Sequence, residues 1–257
     1  MKKLRFSAFP PLSYAGSEAI NTLCTNLTFS GNGIKKIMIS SCHASEGKTT
    51  ITMNVLRTMA KLGKRVVLVD CDLRRSTIVK HFGVEFESAG EVYGTTHLLA
   101  GMATEEDALY ETDIPGAYIV PVIKTVRNSL SLLNSDRMKQ LLDWLAEYFD
   151  YVLVDAPPIG ALIDAAQIAR YCDGTLLVVN YNAVTKKELA DAKTQIEQSG
   201  CPILGTVINQ AAFDSYLNRK YYYKSYYYNY YYYGYYNSGS GSHRPHGLKA
   251  LFSRKKK

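Results

Sequence analysis

Three stretches of this sequence hold side chains whose types and spacing suit phosphate chemistry. The first, Ser40–Thr50, reads SSCHASEGKTT and lies between an apolar strand candidate and a helix candidate. A loop in that position points backbone N–H groups at one spot, and the start of the helix adds partial positive charge. Gly47 lets a phosphate approach the backbone, Lys48 suits the β- and γ-phosphates of a nucleotide, and Thr49 offers a hydroxyl to Mg²⁺. Ser45, Glu46 and Thr50 complete the candidate binding loop. The strict phosphate-loop pattern fails at its first glycine, where Cys42 stands. Gly-Lys-Thr alone is therefore a weak signal, and its weight comes from the other two stretches.

The second stretch, Val66–Arg75, reads VVLVDCDLRR. Asp70 and Asp72 sit where a buried strand ends, the place where open parallel sheets bind ligands. One carboxylate can hold Mg²⁺ and the other can take a hydroxyl proton. The third, Tyr151–Pro158, reads YVLVDAPP. It is an apolar strand delivering Asp155, the second metal-organising carboxylate of phosphate-loop enzymes. Asp164 follows at a helix start and reads as a cap.

These side chains need a scaffold, and the pattern supplies one. Residues 36–41, 65–70, 118–122, 151–155, 175–180 and 203–209 read as strands. Residues 17–27, 48–62, 135–148, 162–171 and 186–199 read as helices from apolar recurrence at three- and four-residue spacing. Alternation with short connections predicts a parallel β-sheet flanked by helices on both faces. Residues 83–116 read as a long irregular insertion, placed to cover the site, with a helical patch near 104–110.

With 257 residues, the chain has room for one large α/β domain or two small ones. No apolar run of about 18 residues is present, and Met1–Phe9 lacks the apolar stretch of a secretory leader. Five scattered cysteines, with no C-x-x-C pair, argue against a disulfide framework or a cysteine-built metal site. Charge is unevenly placed. From Ser215 onward there are nine Lys or Arg and no acid, more than the net charge of +7, so the rest of the chain is slightly acidic.

That basic segment is also full of tyrosine. Thirteen of the chain's 21 tyrosines lie between Tyr216 and Tyr236, followed by SGSGS and a terminal SRKKK. Low-complexity linkers rarely hold bulky aromatics. Stacking on nucleic-acid bases beside Lys and Arg would explain aromatics but not the choice of tyrosine over Phe or Trp. Phosphorylation explains that choice. Six phosphates at about −1.5 charge each would cancel the segment's positive charge. The reading taken is that Tyr221, Tyr222, Tyr223, Tyr226, Tyr227, Tyr228, Tyr230, Tyr231, Tyr232, Tyr233, Tyr235 and Tyr236 are phosphoacceptors, with no nucleic-acid partner. The Arg254–Lys257 run suits an anionic lipid surface, at about 1 kcal/mol per charge.

Together, the SEGKTT loop at 45–50, VVLVDCDLRR at 66–75, YVLVDAPP at 151–158 and the tyrosine cluster resemble the bacterial tyrosine kinases of capsular and exopolysaccharide synthesis, over about residues 13–236. The resemblance implies a phosphate-loop NTPase-like fold and ATP- and Mg²⁺-dependent phosphorylation of tyrosine, largely between subunits. It implies a split form, a cytoplasmic chain recruited to the inner face of the membrane by a separate membrane modulator that regulates polysaccharide length and export. By resemblance Lys48 and Thr49 contact phosphates and Mg²⁺, Asp70 and Asp155 organise the metal, Asp72 is the base, Arg74 supports the phosphates, and Asn209 lies in the adenine-reading region. The expected organisation is an N-terminal segment with an oligomerisation helix (1–35), an ATP-binding kinase domain (36–214) and a flexible tail (215–257). In the family an E-x-x-R-x-x-R helix assembles a ring. Here Glu18 remains, but Asn21 and Cys24 stand where arginines would be, which weakens the expected homo-oligomer. The rival function is a non-kinase ATPase switch that dimerises with ATP to position a membrane partner.

Overall fold

The apolar runs at 66–70 and 151–155 are continuous because both faces of their strands are covered. Their side chains alternate between two cores. Val67, Val69, Val152 and Val154 pack on one side, and Val66, Leu68 and Leu153 on the other, all fully buried. The computed structural model that shows this describes residues 1–31, 33–87, 90–160 and 163–211. Residues 1–210 form one compact unit. The tyrosine cluster and the basic terminus lie outside the described residues.

Among the described residues the elements run, in chain order, β1 (Lys2–Phe6), α1 (Tyr14–Thr28), β2 (Lys36–Ser41), α2 (Lys48–Lys61), β3 (Val66–Asp70), α3 (Ile78–His81), β4 (Val84–Phe86), α4 (Thr95–Leu99), α5 (Glu105–Ala108) and β5 (Tyr110–Glu111). There follow β6 (Ala117–Val120), α6 (Leu130–Leu133), α7 (Asp136–Tyr148), β7 (Tyr151–Asp155), α8 (Ile163–Ala169), β8 (Gly174–Asn180), α9 (Lys186–Gln198) and β9 (Ile203–Asn209). The strands form one sheet in the order β4-β1-β5-β6-β3-β7-β2-β8-β9. Helices α7, α8 and α9 cover one face, with Leu141, Leu142, Ala165, Ile168 and Ile196 in its core. Helices α1 and α2 cover the other, through Ile20, Cys24, Leu27, Met53, Leu56 and Met59.

The flanked parallel sheet matches the sequence expectation, with two corrections. The sheet is mixed, because β1–β4 and β5–β6 pair antiparallel. Residues 83–116 are also not an irregular cover. They supply β4, α4, α5 and β5, they help form one edge of the sheet, and they bury Leu98, Leu99, Leu109 and Tyr110. Residues 1–35 are built into the same unit, since Lys2 and Lys3 of β1 pair with Tyr110 and Glu111.

The order at the centre of the sheet positions the chemistry. Strands β3, β7 and β2 are adjacent, so Asp70, Asp155 and the loop after Ser41 come to one end of the sheet. Strand β2 lies between β7 and β8 and pairs parallel with both. The chain leaves β2 for β3 on one side and later reaches β8 on the other. That reversal is the kind of crevice where open α/β sheets bind ligands.

Candidate nucleotide site

The phosphate loop leads directly into α2. Gly47 is its N-cap residue, at φ +87°. A Cβ at Gly47 would stand 2.1 Å from Asn209 Nδ2, so both the backbone angle and the close approach require glycine. Ser45, where glycine would be easier, sits at φ +65°. That left-handed angle is open to a non-glycine residue at a cost.

Register sets the carboxylates. Asp70 and Asp155 are directly opposed on adjacent parallel strands, and both are buried. Asp70 accepts from the Asp72 backbone N–H at 3.1 Å and from the Ser76 hydroxyl. The Thr49 hydroxyl donates to Asp155 Oδ2 at 2.7 Å. The other Asp155 oxygen, Oδ1, is buried without a hydrogen-bond partner among the described residues. The Lys48 ammonium lies 3.3 Å from Asp72 Oδ2. Sequence reasoning named Lys48, Thr49, Asp70, Asp72 and Asp155 from three separate stretches, and the structure brings all five together.

Electrostatics show what the cluster lacks. Three carboxylates face one ammonium. Burial alone would lower the Lys48 pKa, but Asp155, Asp72 and Asp70 more than offset it and hold the amine charged. Burial, reinforced by Asp155, pushes the Asp70 carboxyl up to about 8, against the hydrogen bonds from Ser76 and Asp72. Burial raises Asp155 as well, against the pull of Lys48 and Thr49. An orphaned buried oxygen and a deficit of positive charge fit a divalent cation. Among the described residues no three His, Cys, Asp or Glu side chains form a cage. Mg²⁺ does not need one in nucleotide sites, where one or two carboxylates, waters and phosphate oxygens complete its shell.

A pH dependence follows. Between the ordinary 3.8 and about 8, folded Asp70 keeps a proton that the unfolded chain has lost. Stability of the nucleotide- and metal-free protein is therefore expected to fall as pH rises through that window. Asp70→Asn, which keeps the neutral shape, is expected to flatten the slope of thermal midpoint against pH. An unchanged slope in the variant would assign the dependence to other groups.

Arg74 and Asp164 differ from the sequence expectation. Asp164 is 1% exposed and does not act as a simple cap. Its carboxylate accepts from Arg74 Nε at 2.9 Å and from the Ser129 hydroxyl. Arg74 Nη1 also donates to the Arg127 carbonyl at 2.8 Å. The guanidinium thus ties the turn after β3 to α8 and to the segment before α6. Its charge belongs first to Asp164, a partner that the spacing of two distant stretches could not reveal. Asn209 ends β9, and its Nδ2 donates to the Glu46 carbonyl at 2.9 Å, which places it against the phosphate loop. Glu46 is 3% exposed, with its side chain folded inward. Thr50 lies in the first turn of α2, where its carbonyl accepts from Asn54.

Helix α1 also bears on a sequence expectation. Glu18 and Asn21 share an exposed face and hydrogen-bond at 3.3 Å. Cys24 is fully buried against α2, its thiol facing the Val55 carbonyl. The third position of the motif therefore points into the core.

This geometry has parallels among known proteins. A family model described as an AAA domain matches residues 34–198. The chain is 37% identical over 193 residues to the tyrosine-protein kinase CpsD of Streptococcus pneumoniae, a match covering 75% of this chain and 83% of that protein. The chain belongs to the bacterial tyrosine kinase family. The kinase is similar in structure to the kinase domain of the Escherichia coli tyrosine kinase ETK, with TM-score 0.69, 28% identity, and coverage of 78% of this chain and 79% of that one. The septum site-determining protein MinD of Pyrococcus horikoshii, in its complex with Mg-ADP, gives TM-score 0.58 at 24% identity, covering 68% of this chain and 70% of that one. That likeness shows the shared fold alone. The kinase is accordingly a protein-tyrosine kinase, and the non-kinase switch is the weaker reading. No helix of the described residues is long and apolar enough to cross a membrane.

Proposed function

We propose that this kinase transfers the γ-phosphoryl group of ATP, bound with Mg²⁺, to tyrosines 221–236 of another copy of the chain, and so regulates capsular or exopolysaccharide synthesis and export. The observation that carries the reading is the meeting of Lys48, Asp70, Asp72 and Asp155 beside the loop that Gly47 closes onto α2. Lys48 and the loop N–H groups bind the β- and γ-phosphates. Thr49, Asp70 and Asp155 would hold Mg²⁺, which when bound would supply neutralisation of phosphate charge. Asp72, beside Lys48, takes the phenol proton, since a tyrosine hydroxyl with a pKa near 10 needs help to lose it. Most of the acceleration comes from positioning and fixed charge. Ser45, Glu46, Thr50, Arg74 and Asn209 complete the cofactor-binding set, with Arg74 acting from its anchorage on Asp164.

The proposed activator is the cytoplasmic segment of a membrane modulator of polysaccharide length, which brings the kinase to the inner face of the membrane. The basic terminus adds contact with anionic lipid. Self-assembly is weaker than in relatives with the full arginine motif, because Asn21 is neutral and Cys24 is buried. Phosphates on the tail repel the acidic body of a neighbour and loosen the assembly, so that activity is cyclic. The test is incorporation of labelled phosphate with and without the activator segment, mapped by residue. Label on tyrosines 221–236 that rises with the activator is expected. Steady ATP hydrolysis with an unmodified tail would favour the switch.

A further inference from the structure

Glu46 sits in the middle of the phosphate loop, yet its side chain turns inward. One carboxylate oxygen accepts from the His43 backbone N–H at 2.7 Å, across the loop itself. The other accepts from the Asn180 backbone N–H at 3.1 Å, at the end of β8. The Glu46 carbonyl accepts Asn209 Nδ2 at 2.9 Å, at the end of β9. Three hydrogen bonds from one residue therefore tie the loop to itself and to the two strands beyond β2.

The residues on either side explain why a tie is needed. Ser45 lies at φ +65° and Gly47 at φ +87°. Two left-handed positions flanking one residue give a sharply curved loop, and such a conformation persists only where its surroundings hold it. The curvature decides whether the loop N–H groups converge on one phosphate. A free carboxylate inside a phosphate-binding loop would repel its ligand. One with both oxygens occupied by backbone N–H donors is instead a fixed structural anchor.

We infer that Glu46 is a positioning residue, whose carboxylate sets the curvature of the phosphate loop by strapping it to His43 within the loop and to the end of β8, and which does not itself contact the nucleotide. This deepens the proposed function and rests on its nucleotide site. It also revises the place of Glu46 in the cofactor-binding set, from ligand contact to support.

The test is Glu46→Gln. The amide keeps the size but offers one oxygen and turns an N–H toward a second N–H, so one strap is lost. Affinity is measured by calorimetry, with Mg²⁺, for ADP and for inorganic tripolyphosphate, alongside the thermal midpoint of the free protein. Both affinities are expected to fall about tenfold and by the same factor, the scale of one charge-assisted hydrogen bond. A loss confined to ADP would show contact with the adenosine and overturn the inference. Unchanged affinities, whatever the thermal midpoint, would overturn it too. If Glu46→Gln does not fold, Glu46→Asp, which keeps the charge but reaches fewer partners, is measured in the same way. A wild-type chain that binds neither ligand would overturn the nucleotide site itself, a failure distinct from that of the strap.

Discussion

Lys48→Met is expected to lower phosphate incorporation into the kinase by at least about a hundredfold, the usual loss when one preorganised charge donor leaves a phosphoryl-transfer site. Among the described residues the lysine is the one ammonium against three carboxylates, 3.3 Å from Asp72, and those carboxylates keep it charged. Methionine fills the same volume without the charge. The variant removes the ammonium that lies against Asp72, Asp70 and Asp155, so phosphate binding weakens as well as transfer. The measurement is the initial rate of labelled phosphate incorporation, with the fold checked by circular dichroism. Full incorporation by a folded Lys48→Met chain would contradict the assignment of the site.

Replacing tyrosines 221, 222, 223, 226, 227, 228, 230, 231, 232, 233, 235 and 236 by phenylalanine is expected to reduce self-incorporation to background, while nucleotide affinity stays at the wild-type value. Phenylalanine keeps the ring and removes the acceptor oxygen, so stacking or general aromatic association survives and phosphorylation does not. The outcome separates the substrate reading of the cluster from the binding readings. Incorporation persisting at the wild-type level, mapped to tyrosines 14–181, would place the acceptors in the folded unit and leave the cluster another role.

The three site stretches were legible in the sequence because each joins a strong local pattern to a charged residue at its end. VVLVD and YVLVD are continuous apolar runs closed by Asp, and the phosphate loop leads into a helix with apolar residues at Ile51, Val55 and Met59. What the sequence hid is non-local. Strand β5 has two residues and β4 three, too short for any periodicity, and they exist because distant Lys2–Phe6 lies between them in the sheet. Strand β1 did carry a signal, the alternation of buried Leu4 and Phe6 with outward Lys3 and Arg5. The pairing of Arg74 with Asp164, 90 residues away, depends on tertiary packing, and so does the inward turn of Glu46. Loop position for Glu46 and resemblance for Arg74 point to phosphate or cofactor, but charge next to a phosphate loop is ambiguous until its partner is known.

The central claim is that one nucleotide pocket, assembled from three stretches, phosphorylates the tail of a second copy. It is tested by mixing two inactive halves in the presence of the activator segment. One is Lys48→Met with all tail tyrosines intact, and the other has a wild-type site with the twelve phenylalanine substitutions. Labelled phosphate should appear on the tail of the Lys48→Met chain in proportion to the second chain added. An unlabelled tail, with the second chain still hydrolysing ATP, would contradict the account.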